Sequence, residues 1–163
     1  LLMRLMRQGI SLAAAHTNLD RAPGGVNDCL AQALGLRVEQ SEDYLRVGAP
    51  GVRTAGELAD LARATINPQA VFYGERDRAI DCVASSCGAG GEFFAEAARR
   101  GAQVFVTGEM KHTERIEAEG LGLSVLLLGH GESEAVVLEP LRARLAAQIR
   151  AEVFAPQRPG ARG

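Results

Sequence analysis

Three times along this chain an apolar run ends in a small or polar loop that leads into a helix-forming segment, and this recurring unit restricts the fold more than any other feature. The first unit is AAAHTNLDRAPGGVNDCLAQAL, Ala13 to Leu34, where the run Ile10–Ala15 suits a short buried strand delivering His16 and Asp20 to the loop at its end. Pro23, Gly24 and Gly25 then force a tight turn, and Asn27 or Asp28 is placed to cap a helix through Leu30, Ala33 and Leu34. In the second unit Ile80–Ala84 precedes Ser85, Ser86 and a glycine loop, Cys87 to Gly91. In the third, Leu123–Leu128, the most apolar stretch of all, runs into Gly129-His130 and then Glu134. Strand, loop and helix in alternation describe an α/β fold. The loops at the strand ends are where such sheets place chemistry.

The segments between these units fill in the rest. LLMRLMRQG reads as an amphipathic helix ended by Gly9, and Gly35 closes the next helix as a left-handed cap would. VEQSEDYLRVGAPGV alternates loosely around Tyr44, Leu45 and Val47, which suits a strand followed by a Pro50-Gly51 turn. Thr54 caps a helix whose Leu58, Leu61 and Ala62 share a buried face, and Asn67-Pro68 ends it. Val71–Tyr73 and Ile80–Ala84, joined by the charged turn Glu75–Arg78, read as a hairpin. Further on come a helix over Phe93–Arg100, a strand over Val104–Thr107, a polar helix from Lys111 to Glu119 and a long helix from Ala135 to Val153. The Pro/Gly/Arg tail over 156–163 is expected to be disordered, leaving 1–155 as one domain.

Composition removes several classes of function. The 18 basic and 20 acidic residues are interspersed, with no Trp and two Tyr, so neither a basic face nor a stacking platform is available for nucleic acid. Cys29, Cys82 and Cys87 form no Cys-x-x-Cys pair, which argues against a disulfide framework or zinc ribbon and for a reducing cytoplasm. No run approaches the roughly 20 apolar residues that cross a bilayer, so no membrane association is expected. Arg4 and Arg7 interrupt the apolar opening, which makes a poor signal peptide. The chain starts at Leu1 inside a helix, and upstream sequence is expected to precede it.

Two of the three histidines follow apolar runs and have a carboxylate four residues on: His16 with Asp20, and His130 with Glu134. Two imidazoles and two carboxylates form a donor set that binds Zn, Mn or Fe and leaves coordination positions open. The competing reading makes each His a polar loop residue, with Glu132 or Glu134 only favouring a helix N-terminus. His112, entering the polar helix after Thr107-Gly108-Glu109, is either an acid/base or supporting group or a solvated helix residue. The loop at Cys87–Gly91 lacks both G-x-G-x-x-G and G-K-[ST], and Glu92 would repel phosphate there, so it reads as a close-packing turn. Cys87 has no visible base partner and reads as a small buried hydrophobe rather than a nucleophile.

His16-Thr17-Asn18-Leu19-Asp20, Gly24-Gly25-Val26-Asn27-Asp28, the Cys87–Gly91 loop, Thr107-Gly108-Glu109 and Gly129-His130 with Glu134 occur together, in this order. In that combination the chain resembles the Nif-three-like family, whose bacterial members are described as dinuclear metal centre proteins or GTP cyclohydrolase type II homologues. The resemblance implies two α/β lobes with mixed sheets flanked by helices, a di-metal site between the lobes, and toroidal hexamers. It makes Asp20, His130 and Glu134 metal ligands and His16 a neighbour of the metals. The remaining family ligands come from a His-His pair upstream of the first helix, which this chain lacks, so the N-terminal lobe is expected to be incomplete. Two divalent ions are then expected in the intact family site, and one or none in this chain. Lys111-His112-Thr113-Glu114 departs from the His and Asp that the family often has at the last two positions.

Two functions follow as expectations. One is a metal-dependent hydrolase in which metal-activated water attacks a substrate such as a nucleotide, with His16 or His112 moving a proton. The other is a non-catalytic, ring-forming metal-binding scaffold or regulator acting through protein partners.

Overall fold

A computed structural model describes residues 1–156. The elements in chain order are α1 (Leu2–Arg7), α2 (Thr17–Arg21), α3 (Val26–Ala33), β1 (Leu36–Glu42), β2 (Leu45–Pro50), α4 (Ala55–Thr65), β3 (Val71–Tyr73) and β4 (Val83–Ser86). A single 3-10 turn, Gly90–Phe93, leads into α5 (Phe94–Arg99), then β5 (Val104–Thr107), α6 (His112–Gly120), β6 (Ser124–Leu127), α7 (His130–Ala135) and α8 (Leu138–Gln148). The six strands join one mixed sheet in the order β1-β2-β4-β5-β6-β3. β4, β5 and β6 run parallel in its middle, and antiparallel strands flank them.

The parallel strands are short, apolar and buried on both faces, and successive side chains enter opposite cores. Val83, Val104, Val106 and Leu126 pack with Leu30 and Leu34 of α3, Leu58 and Ala62 of α4, and Val136 and Val137. Ala84, Phe105 and Val125 pack on the other face with Phe94 and Ala97 of α5 and Ala118 of α6. Helices therefore cover both faces. The C-terminal ends of the three parallel strands place the loops beginning at Cys87, Gly108 and Gly129 side by side.

Several local expectations hold. Thr54 and Glu57 form a reciprocal capping box that starts α4, and Gly35 ends α3 with φ +68°. Others need correction. Ile10–Ala15 is irregular and exposed rather than a buried strand, with Ile10 at 51% and Leu12 at 66% exposure. An apolar run becomes a strand only where a neighbour takes its backbone groups, and this segment lies outside the sheet. Val71–Tyr73 does not form a hairpin with Ile80–Ala84; it pairs antiparallel with β6, while Ile80 donates its N–H to Arg53 O. The segment around Tyr44 is two strands, because Asp43 adopts φ +42° and turns β1 back onto β2.

Gly25, not Asn27 or Asp28, is the N-cap of α3. The expected long last helix, Ala135 to Val153, is shorter: Ala135 ends α7, and α8 runs only over Leu138–Gln148. Pro140 has no N–H to donate, so it fits the first turn of α8 but not the interior of a continuous helix. Of the expected disordered tail, only Pro156 lies within the described residues. No helix among them is long and apolar enough to cross a membrane.

Candidate functional site

Asp20, His130 and Glu134 line one cavity of about 260 Å³, together with His16, Cys87, Glu92 and the glycine loop. His130 opens α7 immediately after Gly129, whose φ of +89° turns the chain out of β6. The i,i+4 spacing on α7 then puts Glu134 Oε1 at 3.1 Å from His130 Nε2. The opposite ring nitrogen, Nδ1, lies 3.0 Å from Glu109 Oε1, which arrives from the end of β5. Asp20 sits in α2, and His16 is the residue that precedes that helix.

The cavity carries a negative field. Its walls hold the carboxylates of Asp20, Glu92 and Glu134 and no Lys or Arg. The hydrogen bond to Glu109 raises the His130 pKa; burial opposes this, and the charges of Glu134 and Glu109 add to it. Burial together with the charges of Asp20 and Glu134, and a hydrogen bond to Asp20, pushes the Cys87 thiol up to about 12. That thiol stays protonated at neutral pH, in line with a packing role rather than a nucleophilic one.

A second cavity, of about 390 Å³, shares His16, Asp20 and Glu134 with the first. Its other walls are apolar, among them Leu19, Val26, Val137 and Leu138, and again include no Lys or Arg. The wall between the two spaces is thus built from the residues that the sequence singles out.

His112 is elsewhere. It is the first residue of α6, exposed, with Nδ1 3.3 Å from an Arg115 guanidinium nitrogen, and it lines neither cavity. Among the described residues no three His, Cys, Asp or Glu groups converge as a ready-made metal cage. His130 and Glu134 stand at chelating distance, but the His130 ring is engaged by carboxylates on both sides. A complete metal centre does not fit these residues as they are arranged.

Three contributors escaped the sequence reading. Glu109 is the second partner of His130; the signal was its position at the end of a strand parallel to the one that delivers His130. Asn27 and Ser133, both wholly buried, bind the loops to one another. Asn27 Nδ2 donates to Asp20 O at 3.1 Å and its Oδ1 accepts from Cys87 N–H at 2.8 Å. Ser133 Oγ accepts from Gly88 N–H at 2.9 Å and donates to His130 O at 2.8 Å. Gly88 has φ +57°, and a Cβ there would lie 2.6 Å from Glu134 Oε1, so only glycine lets the loop pass. Arg46, 3% exposed, anchors α3 to β2 through Asp28 at 2.5 Å.

The sequence profile of Duf34/NIF3 (NGG1p interacting factor 3) matches residues 1–158. The chain belongs to the Duf34/NIF3 family. It is 27% identical to a "GTP cyclohydrolase 1 type 2 homolog" of Clostridium perfringens, a match covering 93% of this chain and 62% of that protein. A protein of the same name from Neisseria meningitidis is 30% identical over 92% of this chain and 60% of its own length. The chain thus spans about three-fifths of these relatives. Among solved structures, ybgI, a protein of unknown function, superimposes with a TM-score of 0.87 at 28% identity, covering 97% of this chain and 67% of that one. A Thermus thermophilus protein gives a TM-score of 0.82 at 29% identity, covering 98% and 66%. The mixed α/β fold is that of the Duf34/NIF3 family.

Proposed function

We propose that this chain binds a divalent cation, Zn, Mn or Fe, at the cavity lined by Asp20, His130 and Glu134. The observation that carries the reading is electrostatic: three carboxylates and two imidazoles surround the space without a single Lys or Arg, and both His130 and Cys87 are held toward their protonated forms. A cation relieves such a field, and carboxylate oxygens with imidazole nitrogen are suitable donors. His130 and Glu134 supply an adjacent pair and Asp20 a third group across the cavity, an incomplete shell that water or further protein groups would have to finish.

Metal-dependent hydrolysis, on a nucleotide as the relatives' name suggests, is the finer proposal. Its weaker support is that neither cavity offers a Lys or Arg for phosphate groups. A second reading, a homo-oligomeric scaffold, hexameric in the family resemblance, that acts through protein partners, draws on a different observation. Leu1, Leu2, Met3, Met6, Ile10 and Leu12 are all more than half exposed, an apolar surface suited to contact with another chain.

Elemental analysis of the purified protein beside Glu134→Ala tests the first reading. Transition metal bound to the unaltered chain and absent from the variant supports it. No metal in either, after incubation with Zn, Mn and Fe(II) salts, refutes it and leaves the scaffold reading in front.

A further inference from the structure

The ends of four helices meet around the cavity of about 390 Å³ and leave it open. Leu19 of α2, Val26 at the start of α3, Ala135 at the end of α7 and Leu138 at the start of α8 line it with apolar surface. Gly131 of α7 adds no side chain, and a Cβ there would meet nothing within 4 Å. The same lining includes Asp20, Glu134 and His16. Glu134 is shared with the His130 ring, whereas Asp20 has no Lys or Arg ion pair among the described residues. The N-termini of α3 and α8 border the space as well, but each has an acidic residue in its first turn, Asp28 and Glu139, that offsets its dipole.

Each part of this lining excludes a class of ligand. A phosphate or carboxylate would meet like charge with no Lys or Arg to balance it. A bare metal ion gains nothing from the apolar part, and a wholly apolar molecule would desolvate the half-buried Asp20 carboxylate without compensating it. What complements both parts is a positive head that donates hydrogen bonds, carried on an apolar body. The volume is that of a small-molecule pocket, typically about 300–1,000 Å³. We propose that this cavity binds a small organic ammonium, a primary amine on a compact aliphatic body, with its N–H groups donating to Asp20 and Glu134 and its body against Leu19, Val26 and Leu138. The ammonium needs one or two acceptors and an apolar sleeve, not three converging donors, so the proposal stands without a bound metal.

Titration of the chelator-treated, unaltered chain with alkylammonium ions tests this, read by methyl NMR shifts at Leu19, Val26 and Leu138. Chelation keeps the outcome separate from divalent-cation binding, so that either reading can fail alone. Pentylammonium is expected to bind saturably and to move those methyl signals. Affinity should fall about 2–4-fold for each methylene removed, from pentyl to propyl. Pentanol, the same body without the charge, should bind at least about 10-fold more weakly, and pentanoate should not bind. Asp20→Asn, which keeps the side-chain shape, should lose about 10-fold, and Gly131→Leu, which adds bulk at the open wall, should abolish binding. Absence of saturable shifts, or pentanol binding as tightly as pentylammonium, overturns the proposal. So does a pentylammonium affinity unchanged in both variants, which places the ligand elsewhere. Nα-acetyl-lysine amide binding more tightly than pentylammonium overturns the small-molecule assignment in favour of a lysine side chain of a protein. If a variant does not fold, the amine, alcohol and carboxylate series on the unaltered chain decides.

Discussion

The two His-x-x-x-acid motifs, His16 to Asp20 and His130 to Glu134, have the same spacing and very different support. His130 follows β6, in the parallel middle of the sheet, and its helix buries Ser133 and Ala135, so ring and carboxylate meet at 3.1 Å. His16 follows an exposed irregular segment and opens a five-residue helix with no buried residue, its own N–H satisfied by Asn18 Oδ1. Asp20 nevertheless lines the cavity, and its carbonyl accepts a hydrogen bond from the buried Asn27 of α3. The same spacing is thus backed by a packed strand in one case and by a buried side-chain amide in the other.

The comparison breaks most visibly at the histidines. His130→Ala should weaken divalent-cation binding by on the order of 100-fold or more, since even outer partners are worth about 10–100-fold, whereas His16→Ala should change it by less than about 3-fold. Titration of both variants with Zn²⁺ and a competing chelator checks this; equal losses would place His16 in the coordination shell and erase the difference.

A smaller effect is expected at the anchor beneath the His16 side. Burial raises the pKa of Asp28, but hydrogen bonds from Arg46 and Gly24 N–H and the charge of Arg46 outweigh it and lower the value below the ordinary range. A depressed folded-state pKa contributes stability above the unfolded value, about 3.9, that is lost as the pH falls through the folded one. Asp28→Asn should therefore cost about 1–2 kcal/mol at pH 7, the lower part of the range for charge-assisted hydrogen bonds because the carboxylate is partly exposed, and progressively less below about pH 4. Urea unfolding of both proteins at pH 7 and pH 3 measures it. A difference that does not shrink in acid would remove the ion pair as its cause.

The smallest effect belongs to the segment before His16. Ile10→Ser and Leu12→Ser replace exposed side chains and should shift the urea unfolding free energy by no more than about 0.5 kcal/mol. A loss above 1 kcal/mol at low protein concentration would show that this region is packed after all and that both motifs stand on buried supports.

Much of the fold was legible because it is written in local chemistry. Val104–Thr107 and Leu123–Leu128 are apolar runs of strand length between glycines or polar turns; Thr54 with Glu57, and Gly35, mark helix ends by hydrogen bonding and backbone sterics. The misread strands were questions of partnership. Val71–Tyr73 could as well pair with a neighbour in sequence as with β6, and only the assembled sheet chooses. Ile10–Ala15 has the composition of a strand but lies outside the six-stranded sheet of the described residues. At the site, the spacing of His130 and Glu134 was enough to bring them together, because a helix makes residues four apart neighbours. Nothing local marks Asn27 as the bridge to Cys87, since its two hydrogen bonds join the ends of separate elements.

The sequence by itself determined the α/β class and the membership of the Duf34/NIF3 family, and it singled out His16, Asp20, His130 and Glu134 among the groups that line the cavity, all from residue type and short spacings. Tertiary structure alone decided which strands are neighbours, that Glu109 rather than His112 stands beside His130, and that two buried side chains tie the loops together. Such contacts link residues far apart in the chain, so only the assembled fold brings their groups together, and the buried one between Asn27 and Cys87 is made where packing has excluded water.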